Sequence, residues 1–198
     1  MKTALGIVLT VLILSTYTGC ATNPLRDAEG KRVSLKGYDC VLVKAVTCAP
    51  ECDAPPEFAV ILRRQLEAEF WMSKRWLTPA EAEHLGKAWS RPVQIEAQVL
   101  KIDVPSRLER FALGTPPSVV CKVLAYDPSG GDLLGSGKVT AFSDTHQRGL
   151  MGLVGYEDRK AALEWLPAYA AEAITRGLEA AQREKPILKV TAEEKTRP

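Results

Sequence analysis

The chain predicts an α+β domain in the order β-α-α-β-β-β-α, a largely antiparallel sheet of four or five strands with helices on one face. Three observations predict it. Val93, Ile95, Ala97 and Val99 alternate with Gln94, Glu96 and Gln98, the period of a half-buried strand. Phe58, Ile61, Leu62, Leu66 and Phe70 recur at helical spacing, and so do Leu163, Leu166, Ala170, Ala173, Ile174, Leu178 and Ala181. Between two apolar runs lies Asp127-Pro128-Ser129-Gly130-Gly131-Asp132, a cluster of turn formers that predicts a hairpin.

Each element has its own reason. Tyr38 to Val46 is rich in β-branched residues and reads as the first strand. Residues 47–56 carry Cys48, Pro50, Cys52, Pro55 and Pro56 and read as a loop, with Asp53 as a helix cap. A helix is expected from Glu57 to Trp71. Thr78-Pro79-Ala80-Glu81 is a helix start, because Thr78 caps, Pro79 takes the first helical position and Glu81 returns a bond to the cap. That short helix is expected to reach Ala88. After Val99 the alternation slips by one, to Leu100, Ile102 and Val104, which predicts a bulge near Val99–Lys101. Val119 to Tyr126 and Leu133 to Phe142 form the hairpin, the second strand weakened or bent at Gly135 and Gly137. The last helix, Asp158 to Gln182, contains Pro167, which lacks an amide donor and predicts a kink or break near Leu163–Pro167. Residues 183–198 are charged and read as a fraying tail in which Ile187 to Val190 could add a short edge strand.

The first 20 residues carry a different message. Lys2 precedes an apolar run from Ala4 to Leu14, and small or polar residues follow, the layout of an export signal. The run is shorter than the roughly 20 apolar residues a membrane-spanning helix needs. Tyr17-Thr18-Gly19-Cys20 resembles the lipobox of bacterial lipoproteins, with Tyr17 where Leu is usual. The resemblance implies cleavage after residue 19, acylation of Cys20 as the first mature residue, and a membrane anchor. Ala21, in place of an aspartate, implies the outer membrane. The organisation expected is a signal over 1–19, a lipidated N-terminus and polar tether over 20–36, one domain over 37–182, and the tail.

Loss of Lys2 takes one positive charge from a total of +2, so the mature chain has no basic excess of the kind that binds nucleic acid. Cys40, Cys48, Cys52 and Cys121 then remain, an even number in an oxidising compartment. Cys48 and Cys52 form the tightest candidate disulfide. Cys40 and Cys121 bridge two strands or stay buried as thiols, and sequence does not choose the pairing. Two histidines, His84 and His146, neither near a cysteine, point to no zinc site and no other metal or cofactor.

The strand–turn–strand Val123-Leu124-Ala125-Tyr126-Asp127-Pro128-Ser129-Gly130-Gly131-Asp132-Leu133-Leu134, within this element order and behind a lipobox, resembles envelope lipoproteins whose domain is like the TolB N-terminal domain. The resemblance covers about Tyr38 to Gln182. It implies a protein that binds other envelope components and is not an enzyme.

Motifs for chemistry are sparse. Ser143-Asp144-Thr145-His146 joins a hydroxyl, a carboxylate and an imidazole, but neighbours at a strand end seldom converge, and no Gly-x-Ser-x-Gly elbow is present. Gly130-Gly131 lacks the Lys and Ser/Thr of a phosphate loop. Trp71, Trp76 and Trp89 bracket the short helix and are expected in packing. The most informative stretch is Arg148 to Tyr156, where Gly149, Gly152 and Gly155 are interspersed with Leu150, Met151, Leu153, Val154 and Tyr156. If exposed, those five apolar residues form a contact loop for a partner; the alternative is a loop folded onto the core. Ser106 to Leu113, with Leu108 and Phe111, is a second such segment. The function expected is a binding or scaffolding lipoprotein of an envelope complex, on the periplasmic face of the outer membrane. The alternatives are a lipid or small-ligand carrier and, third, an envelope hydrolase.

Overall fold

Alternation and helical spacing become elements largely where they stand in the chain. The structure is a computed structural model and describes residues 24–73, 75–84, 91–106, 115–143 and 159–183. The elements are β1 (Cys40–Cys48), α1 (Phe58–Met72), α2 (Pro79–His84), β2 (Pro92–Asp103), β3 (Ser118–Tyr126), β4 (Leu133–Phe142) and α3 (Arg159–Arg183). The strands lie in the order β1-β2-β3-β4. β2–β3 and β3–β4 are antiparallel, whereas β1 runs parallel to β2, because α1 and α2 carry the chain back between them. The result is the expected mixed α+β domain with helices on one face.

Registers explain which residues are buried. Val41, Val43, Val46 and Cys48 on β1 share a face with Val93, Ile95, Ala97 and Val99 on β2 and with Val119, Cys121, Val123 and Ala125 on β3. Against that face pack Phe58, Leu62, Leu66 and Phe70 of α1 and Leu166, Ala170, Ile174 and Leu178 of α3. The predicted bulge is present, since the β2–β3 register shifts between Val99 and Lys101. A second shift, between Val43 and Ala45, admits Lys44 as an extra residue in β1.

Helix ends obey local chemistry. At α2 the reciprocal cap forms: the Glu81 amide donates to Thr78 Oγ1 at 3.4 Å, and the Thr78 amide donates to Glu81 Oε2 at 2.8 Å. At α1 the cap differs from expectation. Glu57 holds the capping position with no side-chain bond, so Asp53 does not cap this helix. The Ala59 amide instead meets the Cys48 sulfur. α3 runs through Pro167 as one element, so the expected break is absent. The proline costs one amide bond, to the Leu163 carbonyl, while Leu166, Ala170 and Ala171 keep this stretch packed in the core.

The segment expected as a tether is part of the domain from Pro24 onward. Leu25 and Leu35 are fully buried in the core. The Arg26 amide donates to the Ser136 carbonyl and the Ser136 amide to the Arg26 carbonyl, both at 2.8 Å, so the chain adds a bridge to the outer edge of β4. Gly135 and Gly137 permit this contact. A Cβ at 135 would lie 2.7 Å from Val33 Cγ2 and 2.9 Å from the Arg26 carbonyl, and one at 137 would collide with the Pro24 carbonyl. In the hairpin turn Gly131 takes φ +73°, its amide donating to the Asp127 carbonyl at 2.8 Å.

Candidate functional site

All four described cysteines are free thiols, so the disulfide expected between Cys48 and Cys52 is not formed, nor is one at Cys40 or Cys121. For a Cys48–Cys121 bridge, strand geometry supplies the reason. Cys48 sits opposite Val99 on one side and Cys121 opposite Val99 on the other, so two strand spacings of about 4.8 Å separate them, beyond the roughly 7 Å reach of a disulfide. Cys40 lies at the other end of β1, opposite Pro92. The Cys52 amide closes a turn onto the Ala49 carbonyl at 2.9 Å. Its sulfur meets the Ile102 amide, while the Cys48 sulfur meets the Ala59 amide, so the two thiols serve different elements. Burial pushes all four thiols up, Cys121 to about 12, and keeps them protonated at neutral pH.

Cys20 and the contact loop of Leu150, Met151, Leu153, Val154 and Tyr156 lie outside the described residues, as do His146, Trp89, Leu108 and Phe111. Ser143 is described and only 2% exposed, its hydroxyl without a hydrogen-bond partner among the described residues. His84 ends α2, which follows the Leu77 bridge to Cys40 at the start of β1, whereas the Ser143 amide donates to the Pro117 carbonyl at the other end of the sheet.

At the end of the sheet where β1 begins, one polar cluster forms. The Tyr38 hydroxyl donates to Asp127 Oδ2 at 3.2 Å, and the Arg91 guanidinium lies 4.5 Å from the Tyr38 ring centre and 3.6 Å from Asp127 Oδ2. The Ser129 amide, then the Tyr38 hydroxyl and Arg91, hold the Asp127 carboxyl below its usual range. Burial raises the Tyr38 phenol. Gln182 at the end of α3 donates to the Tyr38 carbonyl at 2.9 Å. Each member is engaged with another, so the cluster ties the hairpin turn, β1 and α3 together.

Two surfaces are left. One is the sheet face turned away from the helices. Its rows run Leu42, Gln94, Tyr126; then Ala45, Glu96, Leu124, Ser136; then Thr47, Gln98, Lys122, Lys138. On this face Lys44 pairs with Glu96 at 2.8 Å and lies 5.4 Å from the Tyr126 ring, and Lys101 pairs with Asp103 at 3.3 Å. Lys122 and Lys138 stand directly opposite each other across β3 and β4.

The other surface is the outside of the helix layer. α1 and α3 lie side by side and run the same way: Glu69 feels Glu172 and Arg176, and one turn on Ser73 Oγ donates to Glu179 Oε1 at 2.8 Å. Val60, Arg64, Glu67 and Trp71 recur down the outward stripe of α1, and Trp165, Glu172 and Arg176 down that of α3, with Glu172 and Arg176 ion-paired. Trp71 is 65% exposed and Trp165 55%, with Met72 and Val60 also open. Sequence reasoning assigned Trp71 to packing. The signal that separates them was present: Trp71 falls opposite the Phe58, Leu62, Leu66, Phe70 stripe.

Comparison with known proteins adds little. Family models and curated proteins give no match. Among solved structures, the PelC dodecamer from Paraburkholderia phytofirmans is 14% identical, covering 72% of this chain and 91% of that one at a TM-score of 0.38. A hypothetical protein from Chlamydia trachomatis is 10% identical, covering 72% and 98% at 0.41. A putative lipoprotein from Caulobacter crescentus is 16% identical, covering 73% and 90% at 0.32. The domain thus has a weak structural resemblance to a small putative lipoprotein, and likeness at this level assigns neither activity nor partner. No helix among the described residues is long and apolar enough to cross a membrane.

Proposed function

We propose that the chain is an accessory lipoprotein of the cell envelope, anchored through Cys20 to the outer membrane and binding a protein partner on its helix layer. The observation that carries the binding role is the exposure of Trp71, Met72, Val60 and Trp165 on the outward side of two adjacent helices. Large apolar side chains gathered on one surface mark contact sites, and tryptophan is the residue most enriched among those that dominate binding energy. The Arg63–Glu67 pair lies beside the α1 stripe, with Arg63 reaching the Val43 carbonyl of β1, and suits a polar rim. The address rests on the lipobox-like Tyr17-Thr18-Gly19-Cys20 and the export signal before it.

A photo-crosslinking residue in place of Arg64, between the two ends of the stripe, tests the role in cells. The expected result is one crosslinked partner band whose yield falls at least about tenfold when Trp71→Ala and Trp165→Ala are combined. The purified double variant should keep the wild-type melting temperature, since neither indole is in the core. An undiminished crosslink, or none at all in the parent, would count against the reading.

A further inference from the structure

The position of Pro24 limits where a lipid-anchored domain can sit. The described structure begins there: Pro24 lies against Gly137, and Arg26 is bonded to Ser136 in both directions. Four chain steps separate Pro24 from Cys20. Whatever their conformation, they span at most about 14 Å, less than the roughly 30 Å diameter of a domain this size. If Cys20 is acylated, the domain cannot hang free in the periplasm. Its β4 edge is held against the lipid headgroups.

The side chains at that edge suit the position. The chain passes Ser136 antiparallel to β4, so going back from Arg26 towards Cys20 it heads to Lys138. Lys138 faces Lys122 directly on the sheet face turned away from the helices. Like charges directly opposite on neighbouring strands oppose folding. The other lysines of this face answer that cost with acids, Lys44 with Glu96 and Lys101 with Asp103. Among the described residues, Lys122 and Lys138 have no such acid, and their neighbours on the face are Gln98, Ser136 and Thr140 with Val120 and Leu124.

We infer that the β3–β4 part of the open sheet face lies on the bilayer, with Lys122 and Lys138 together on the phosphates of anionic phospholipid. The inference rests on the anchor reading and adds an orientation: sheet towards lipid, helices towards the periplasm. That orientation leaves Trp71 and Trp165 free for a protein.

Lysine acetylation followed by peptide mass spectrometry tests it on the mature protein extracted from the envelope. The protein is reconstituted into vesicles of phosphatidylethanolamine with phosphatidylglycerol, and separately of phosphatidylcholine alone. In the anionic vesicles Lys122 and Lys138 should react about fivefold more slowly than in detergent, with Lys36 and Lys160 unchanged, and high salt should restore their rate. Phosphatidylcholine should give little protection. Unprotected Lys122 and Lys138 beside an acylated Cys20 peptide would overturn the orientation alone. An unacylated N-terminal peptide in the same spectrum would overturn the anchor beneath it. Protection seen in whole envelopes but absent from anionic vesicles would assign the face to a protein instead, and overturn the inference.

Discussion

Burial holds the Cys121 thiol protonated far into alkaline pH, its pKa raised to about 12 from an unfolded value near 9. The consequence for stability has a definite sign. Below about pH 9 the thiol is protonated in both states and the full stability is present. Between about pH 9 and about pH 12 the unfolded chain ionises while the folded one does not, so stability is lost as pH rises, by up to about 4 kcal/mol. Denaturant titrations across that window should show a steeper alkaline decline for the wild type than for Cys121→Ala. Parallel declines would mean that the buried thiol does not govern it. The burial of Cys121 was legible, since it occupies an inward position of an alternating strand. The absence of a Cys48–Cys121 bridge was not, because spacing along the chain says nothing of the two-strand separation across Val99 that keeps the two apart.

Among the elements, β4 depends most on a neighbour that its own sequence does not announce. Gly135 and Gly137 read as weaknesses, yet their missing side chains make room for Pro24 and Arg26 to dock on the edge. Gly137→Ala should therefore destabilise the domain by about 1–3 kcal/mol, the cost of overpacking. The Arg26 and Ser136 amides should lose protection from hydrogen exchange before the rest of the sheet. An unchanged melting temperature would mean that the N-terminal segment contributes no stability. Residues 21–36 looked like a tether because charged and polar residues dominate, and Leu25 and Leu35, ten positions apart with no period between them, carry no local signal. Stronger local chemistry was read correctly. The Thr78–Glu81 cap and the bulge after Val99 are each fixed by residues within a few positions. The parallel pairing of β1 is not, because it depends on where α1 and α2 return the chain. At the helix layer the loss of crosslinking on replacing Trp71 and Trp165 tests whether the outward stripes form one binding surface; retention of the partner with both indoles gone would separate them from it.

At the scale of the whole molecule, three features combine into one arrangement. In the proposed arrangement Cys20 is the anchor, the short link to Pro24 gives nearness, and the two faces of the domain give direction. The proposal turns Lys122 and Lys138 towards phosphate, and Trp71 and Trp165 towards the periplasm. The fold could be read from the sequence because alternation, helical spacing and turn composition are local. The faces could not, because the Lys122–Lys138 pairing and the alignment of α1 with α3 are long-range. The arrangement depends on covalent attachment, and the mass of the mature N-terminal peptide is the most direct test of it. The account predicts that the first residue is Cys20, carrying a diacylglyceryl thioether and an acylated amine. A peptide beginning at Ala21, or a Cys20 without lipid, would contradict it.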